Sequence, residues 1–364
     1  GLTMRFNEKR ALAVMESLQR PSGAFIAAPS PEYASMWLRD HLFMTRAYYD
    51  LGLYEKLAAG MHVAFNVFHK HRHKLERIQH PEDPERGLIA HELIHAKYNP
   101  DTLDEVTMRW GHHQLDTIGL FLHLVADFDF KNIKIVRDRG DLEILQLLVF
   151  YLKTVAYWTK PDNGIWEEHS LRHSSSIGAV VGGLSYIQRR GLAVVPNELI
   201  GLGRNELHRI LPYESRDKCD KPHHSHDCDA AQLFLIWPFN VVERSMADTI
   251  LSRIIDGHYA DNGSFHRLVQ KNGINRYWGD DYFGSKSGVS AEWQWDFLVS
   301  IVFSQRHDYD KAQFWFLRGA ERITAEGYIA EAYQDGKPNK NTPLGWMHAL
   351  ALIAWTKLPD EYRK

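Results

Sequence analysis

The chain has 364 residues, with 43 Lys and Arg against 46 Asp and Glu, a formal charge of −3. A nearly neutral chain lacks the electrostatic footprint expected for nucleic acid or an anionic membrane, and 44% hydrophobic with 24% charged residues excludes global disorder. No apolar run approaches the roughly 20 residues that span a bilayer; the longest, such as Leu147 to Leu152, are far shorter.

The start, Gly1-Leu2-Thr3-Met4-Arg5, has no apolar signal core, so a cytoplasmic protein is expected. Two cysteines cannot build a disulfide framework. Trp, Tyr and Phe make up 12% of the chain, a content that suits a large core and also the C–H faces of sugar rings.

In chain order, helical periodicity predicts elements over residues 6–18, 40–58 and 58–74. Two stripes follow: Leu115, Ile118, Leu122 and Val125, then Leu145, Leu148, Leu152 and Val155. Further helices are predicted over 174–189, 240–256, 288–304, 309–322 and 343–356, with no sustained β alternation. Polar connectors at 80–110, 162–164, 212–228, 257–287 and 326–343 separate them, and loops longer than about 15 residues are uncommon unless functional or disordered. No composition break marks a domain boundary. The whole of 1–364 reads as a single all-α domain of about twelve helices, a closed double ring, with an open solenoid of helical pairs as the alternative.

Three connectors combine carboxylates, Trp and Arg: Tyr33 to Asp40 with Trp37 and Arg39, Asn163 to Glu168 with Trp166, and Tyr328 to Gln334 followed by the Trp346 segment. Glycoside hydrolysis needs one carboxylic acid to protonate the departing oxygen and a second carboxylate to activate water or attack, which Glu167 and Glu331 can supply. A carboxyl beside Trp166 is partly desolvated and keeps its proton nearer neutrality. The bland alternative is a surface turn at Trp166-Glu167-Glu168 and a local ion pair at Arg39-Asp40.

The ordered set of segments resembles glycoside hydrolase family 15, the glucoamylase-type enzymes. It comprises Tyr33…Trp37-Leu38-Arg39-Asp40, Trp110-Gly111-His112-His113-Gln114-Leu115-Asp116, Trp166-Glu167, Arg276 to Tyr282, and Glu331-Ala332-Tyr333 with Trp346-Met347-His348-Ala349. The resemblance implies an (α/α)6 barrel and an inverting enzyme that releases glucose from the non-reducing end of an α-glucoside. It implies Glu167 as acid and Glu331 as base, with Tyr33 helping to hold the attacking water. Trp37, Arg39, Asp40, Trp110, Trp166, Glu168, Arg276 and Trp346 would bind sugar. The adjacent Glu167 and Glu168 leave open which side chain is the acid, and inversion requires carboxyls roughly 6.5–9.5 Å apart. No starch-binding module accompanies these segments, so an oligosaccharide or disaccharide is the expected substrate. The segments around Leu148 to Tyr151, Trp166-Glu167 and Cys228-Asp229-Ala230-Ala231 also resemble the glucoamylase-like domain of phosphorylase kinase α and β subunits, which implies a catalytically silent sugar-binding domain as the second reading.

Neither cofactor nor metal is expected. His91-Glu92-Leu93-Ile94-His95 has the zinc-protease pattern but lies in a polar connector rather than a predicted helix. The loop from Cys219 to Cys228, with His223, His224 and His226, can offer Cys219, Cys228 and two histidines to zinc. Its more ordinary reading is a polar loop with free or paired cysteines, because zinc sites usually draw ligands from two separated knuckles. His69 to Lys74 reads as a solvated helix face or turn.

Overall fold

The computed structural model describes residues 5–78, 90–283 and 290–363. In it the chain forms α1 (Glu8–Glu16), α2 (Leu38–Asp50), α3 (Tyr54–Lys70), α4 (Arg72–Arg77), α5 (Leu115–Phe130), α6 (Arg139–Thr154), α7 (Ser174–Arg190), α8 (Asn197–Ile210), α9 (Leu233–Ile236), α10 (Arg244–Ile255), α11 (Asp296–Gln305), α12 (Tyr309–Ala320) and α13 (Gly345–Lys357).

Burial sorts these helices into two layers. Along α5 and α13 nearly every side chain is buried, from Leu115 to Ala126 and from Gly345 to Ala354. A helix apolar all round must be enclosed by others. On α8, by contrast, only Leu199, Ile200, Gly203, Leu207 and Ile210 are buried, a stripe at helical spacing that faces one neighbour. The inner helices close a ring in the order α2, α5, α7, α9, α11, α13 and back to α2. Each carries an outer partner: α3 on α2, α6 on α5, α8 on α7, α10 on α9, α12 on α11, and α1 on α13. This is an (α/α)6 barrel, and ring closure removes the open solenoid. Two glycines set its tightest approach. A Cβ on Gly119 of α5 would stand 2.4 Å from the Ala179 carbonyl of α7, and one on Gly183 would stand 2.5 Å from the Gly119 carbonyl.

Three expectations need correction. The helix predicted over 288–304 begins at Asp296, because Glu292–Trp293 is a strand. That strand belongs to a five-stranded antiparallel sheet with Val269–Gln270, Gly273–Ile274, Ala332–Gln334 and Lys337–Pro338. Short strands of two or three residues leave too little alternation to read from sequence. The α8 helix lay outside the predicted elements despite its stripe. The 40–58 helix breaks at Leu51–Leu53, where Gly52 has φ +72.

The polar segment 69–74 is likewise not simply solvated. His71 and Lys74 are both buried, and Lys74 Nζ pairs with Glu105 at 2.7 Å. No described helix is long and apolar enough to cross a membrane.

Candidate active site

The inner helices deliver their N-terminal ends to one place. Arg39 and Asp40 occupy the first turn of α2, Asp116 the first turn of α5, and Trp346 that of α13. Trp166-Glu167 lies in the loop before α7, and Trp293 just before α11. Helix N-termini carry partial positive charge, so this end of the barrel suits carboxylates. Between them lies a cavity of roughly 540 Å³, including its mouth, lined by Tyr33, Trp37, Arg39, Asp40, Trp110, Trp166, Glu167, Arg276, Glu331 and Trp346. Every site residue expected from the sequence lines it except Glu168. Ala27, Ile165, Tyr282, Phe283, Trp293 and Leu344 complete the wall.

Glu167 is held by four groups. Its Oε1 accepts from Trp37 Nε1 at 3.1 Å and Trp110 Nε1 at 3.2 Å, and its Oε2 accepts from Gln114 Nε2 at 2.8 Å. The Arg39 guanidinium stands 3.5 Å from Oε2. Trp37 is placed by a short strand, where Met36 and Trp37 pair with Tyr98 and Lys97. The loop backbone comes close because residue 111 is Gly: a Cβ there would stand 2.5 Å from the Glu167 carbonyl. Glu167 itself has φ +63, a left-handed conformation costly for a residue with a side chain. Burial raises its pKa against the pull of Arg39 and Gln114.

Glu168 points elsewhere. Its carboxylate pairs with Arg276 at 2.7 Å and accepts from the Tyr277 hydroxyl at 3.0 Å. Arg276 also makes a two-point bond to Asp280, at 2.7 and 2.9 Å. Glu168 thus fixes Arg276, which lines the cavity, and of the two adjacent glutamates Glu167 is the one in the cavity wall.

Glu331 precedes the sheet strand Ala332–Gln334, where Ala332 pairs with Trp293. Its Oε1 accepts from Asn341 Nδ2 at 2.8 Å and Asn339 Nδ2 at 3.1 Å, and Tyr33 lies beside the same carboxylate. Burial lifts its pKa to about 7 despite these bonds. Asp40 is buried, with no side-chain hydrogen bond to it among the described residues, and burial reinforced by Glu167 raises its pKa to about 8. Arg39 does not pair with Asp40 as the bland reading held. It grips Asp116 through Nε at 2.8 Å and a terminal nitrogen at 2.9 Å, and that nitrogen also donates to Gln114 Oε1 at 2.8 Å. Asp40 is therefore left facing the cavity.

The zinc-protease pattern is not assembled. Residues 90–92 form a single 3-10 turn, and His95 stacks on His112 with ring centres 4.1 Å apart, so His91 and His95 do not share a helix face. Cys219 and Cys228 are unpaired, and buried Cys228 directs its Sγ to the Arg253 carbonyl.

A barrel of this kind with a carboxylate-lined, aromatic cavity at one end has the architecture of glucoamylase-type glycosidases. The model for the glycosyl hydrolases family 15 matches residues 9–272, well over half of the chain, which therefore belongs to that family. Glu331 lies beyond the matched segment. Solved structures agree on the fold. A wild-type glycosidase superposes with a TM-score of 0.78 at 20% identity, covering 97% of this chain and 96% of its own. The glucoamylase of Saccharomycopsis fibuligera superposes with a TM-score of 0.66 at 16% identity, over 96% of this chain and 93% of its own.

Curated relatives are of another kind. A probable phosphorylase b kinase regulatory subunit alpha of Caenorhabditis elegans is 24% identical over 93% of this chain and 32% of its own length. The liver isoform of that subunit in Oryctolagus cuniculus is 26% identical over 54% of this chain and 17% of its own. The chain thus spans about a third of such relatives or less.

Proposed function

We propose that the chain is a single toroidal catalytic domain, an inverting, exo-acting glycoside hydrolase that releases glucose from the non-reducing end of small α-glucosides. One observation carries the reading: two buried carboxylates in different surroundings, Glu167 and Glu331, line one cavity. Burial favours the protonated form of Glu167, the form a general acid needs. Burial raises the Glu331 pKa too, to about 7, but amide donors from Asn339 and Asn341 oppose it and keep part of Glu331 ionised near neutrality, the form a base needs. Tyr33, beside Glu331 in the cavity wall, is suited to share the attacking water. That water adds to the anomeric carbon as Glu331 takes its proton, and Glu167 gives a proton to the leaving oxygen.

Sugar hydroxyls would meet the Asp40 carboxyl, with Arg39 and Arg276 as donors. The rings of Trp37, Trp110, Trp166 and Trp346 offer flat apolar faces to sugar C–H groups. Two free thiols suit a reducing compartment and so a cytoplasmic setting.

The second reading, a catalytically silent sugar-binding domain, draws on the kinase regulatory subunits among the relatives. Replacing Glu331 by Gln separates the two. Turnover lost while sugar binding persists supports the enzyme. A wild type that binds sugar and turns none over supports the regulatory domain.

A further inference from the structure

Outside the cavity, the chain gathers histidines around the 212–228 connector. The sequence offered Cys219, Cys228 and neighbouring histidines, all from one short loop, and Cys228 is turned away from them. The fold supplies what that loop lacked, a ligand from a separate segment. One ring nitrogen each of His169 and His226, together with Cys219 Sγ, all lie within 4.8 Å of one another. His169 belongs to the loop that carries Glu167.

Hydrogen bonds fix which nitrogens face the centre. His226 Nδ1 bonds to Asp229 Oδ2 at 3.0 Å, so this nitrogen carries the hydrogen and donates. His226 Nε2 is buried and makes no hydrogen bond, in a residue only 7% exposed. His224 donates from Nε2 to Asp281 at 2.8 Å, which leaves its Nδ1 to accept from His169 Nε2 at 2.8 Å. His169 Nδ1 is then an acceptor, yet it stands 3.3 Å from a carboxylate oxygen of Asp220, itself 3.6 Å from Cys219 Sγ. Acceptor against acceptor is repulsive unless a cation lies between them. A metal ion would supply that cation.

We propose that His169 Nδ1, Cys219 Sγ and His226 Nε2 bind a zinc ion, with the Asp220 carboxylate as the fourth donor. Two imidazoles, a thiolate and an oxygen form a tetrahedral donor set of the kind zinc prefers. The carboxylate behind His226 supplies the outer partner that orients metal-ligating histidines. That same Asp229 accepts from Trp166 Nε1 at 2.8 Å, so the ion would tie the 212–228 connector to the loop bearing Trp166 and Glu167. The assignment rests on ligand geometry and holds whether or not the cavity hydrolyses sugar.

The test uses the full chain, reduced and stripped with a chelator, titrated with zinc by calorimetry and with cobalt by absorption. Expected are one tight zinc site per chain and a thiolate-to-cobalt charge-transfer band. C219S should abolish the band. C219S and H226Q should each weaken zinc binding by more than about tenfold, the scale on which even outer partners act, while H258Q, at a neighbouring histidine, should retain both. Cys219 is partly exposed, so C219S remains informative if H226Q folds poorly. Absence of tight zinc binding in the wild type, or a charge-transfer band that survives C219S, overturns the proposal.

Discussion

Asn341 donates through Nδ2 to Glu331 Oε1 at 2.8 Å, and its own Oδ1 accepts from Ser30 Oγ at 2.5 Å. The amide is thereby fixed with its donor end on the carboxylate, where it favours the ionised form. Replacing Asn341 by Ala removes a bond that lowers the Glu331 pKa. The acidic limb of the pH–rate profile should move upward. A limb unmoved in the variant would mean that Glu331 is not the group titrating there.

For the wild type the sign follows from the base's role. Glu331 must be ionised to accept a proton, so activity should fall as pH drops through about 7. A profile of kcat/KM on a disaccharide reads this limb in the free enzyme.

The same group shapes stability. A carboxyl raised from 4.5 to about 7 by burial contributes stability that is fully present below 4.5 and lost as pH rises through 7. The neutral amide in E331Q lacks that dependence. From about pH 4 to about pH 8 the wild type should lose on the order of 3 kcal/mol relative to E331Q, read by denaturant unfolding at each pH. Parallel curves for the two proteins would contradict the buried, raised carboxyl.

Much of this site was legible because its residues sit in short segments with distinctive neighbours. Trp37, Arg39 and Asp40 fall within four residues, and Trp166 and Glu167 are adjacent. Sequence could not choose between Glu167 and Glu168, since the choice depends on a left-handed backbone at Glu167 that turns the two side chains apart. Tyr282 closes the Arg276 to Tyr282 segment, whose pattern gives it no role, and Phe283 follows it. Trp293 was assigned to a helix that begins only at Asp296, because its strand pairs with residues far away in sequence. The inner helix α9 has four residues, too few for periodicity to register. Ring closure and the partner of Arg39 depend on contacts between distant segments, which a linear pattern does not carry.

The two adjacent glutamates should separate kinetically. E167Q removes the proton donor and should lower kcat by roughly 10²- to 10⁴-fold. E168Q removes the partner that holds Arg276 against the cavity, so it should raise KM more than it lowers kcat. Equal loss of kcat in both variants would contradict the assignment of the acid.

Arg39 and Asp116 are both nearly inaccessible, their side chains 2% and 4% exposed. D116N leaves the guanidinium buried without its two-point partner and should cost about 3 kcal/mol of folding stability. Thermal and denaturant unfolding check this. A variant as stable as the wild type would mean that Glu167 and Gln114 suffice to hold the charge.

The central claim is that Glu167 and Glu331 act as acid and base across one water. Time-resolved proton NMR of the protein with maltose, isomaltose, kojibiose, nigerose, trehalose and maltotetraose, repeated with E331Q, tests it directly. The account predicts that β-glucose appears first from at least one of these sugars with the wild type and that none appears with E331Q. Initial release of α-glucose would contradict it.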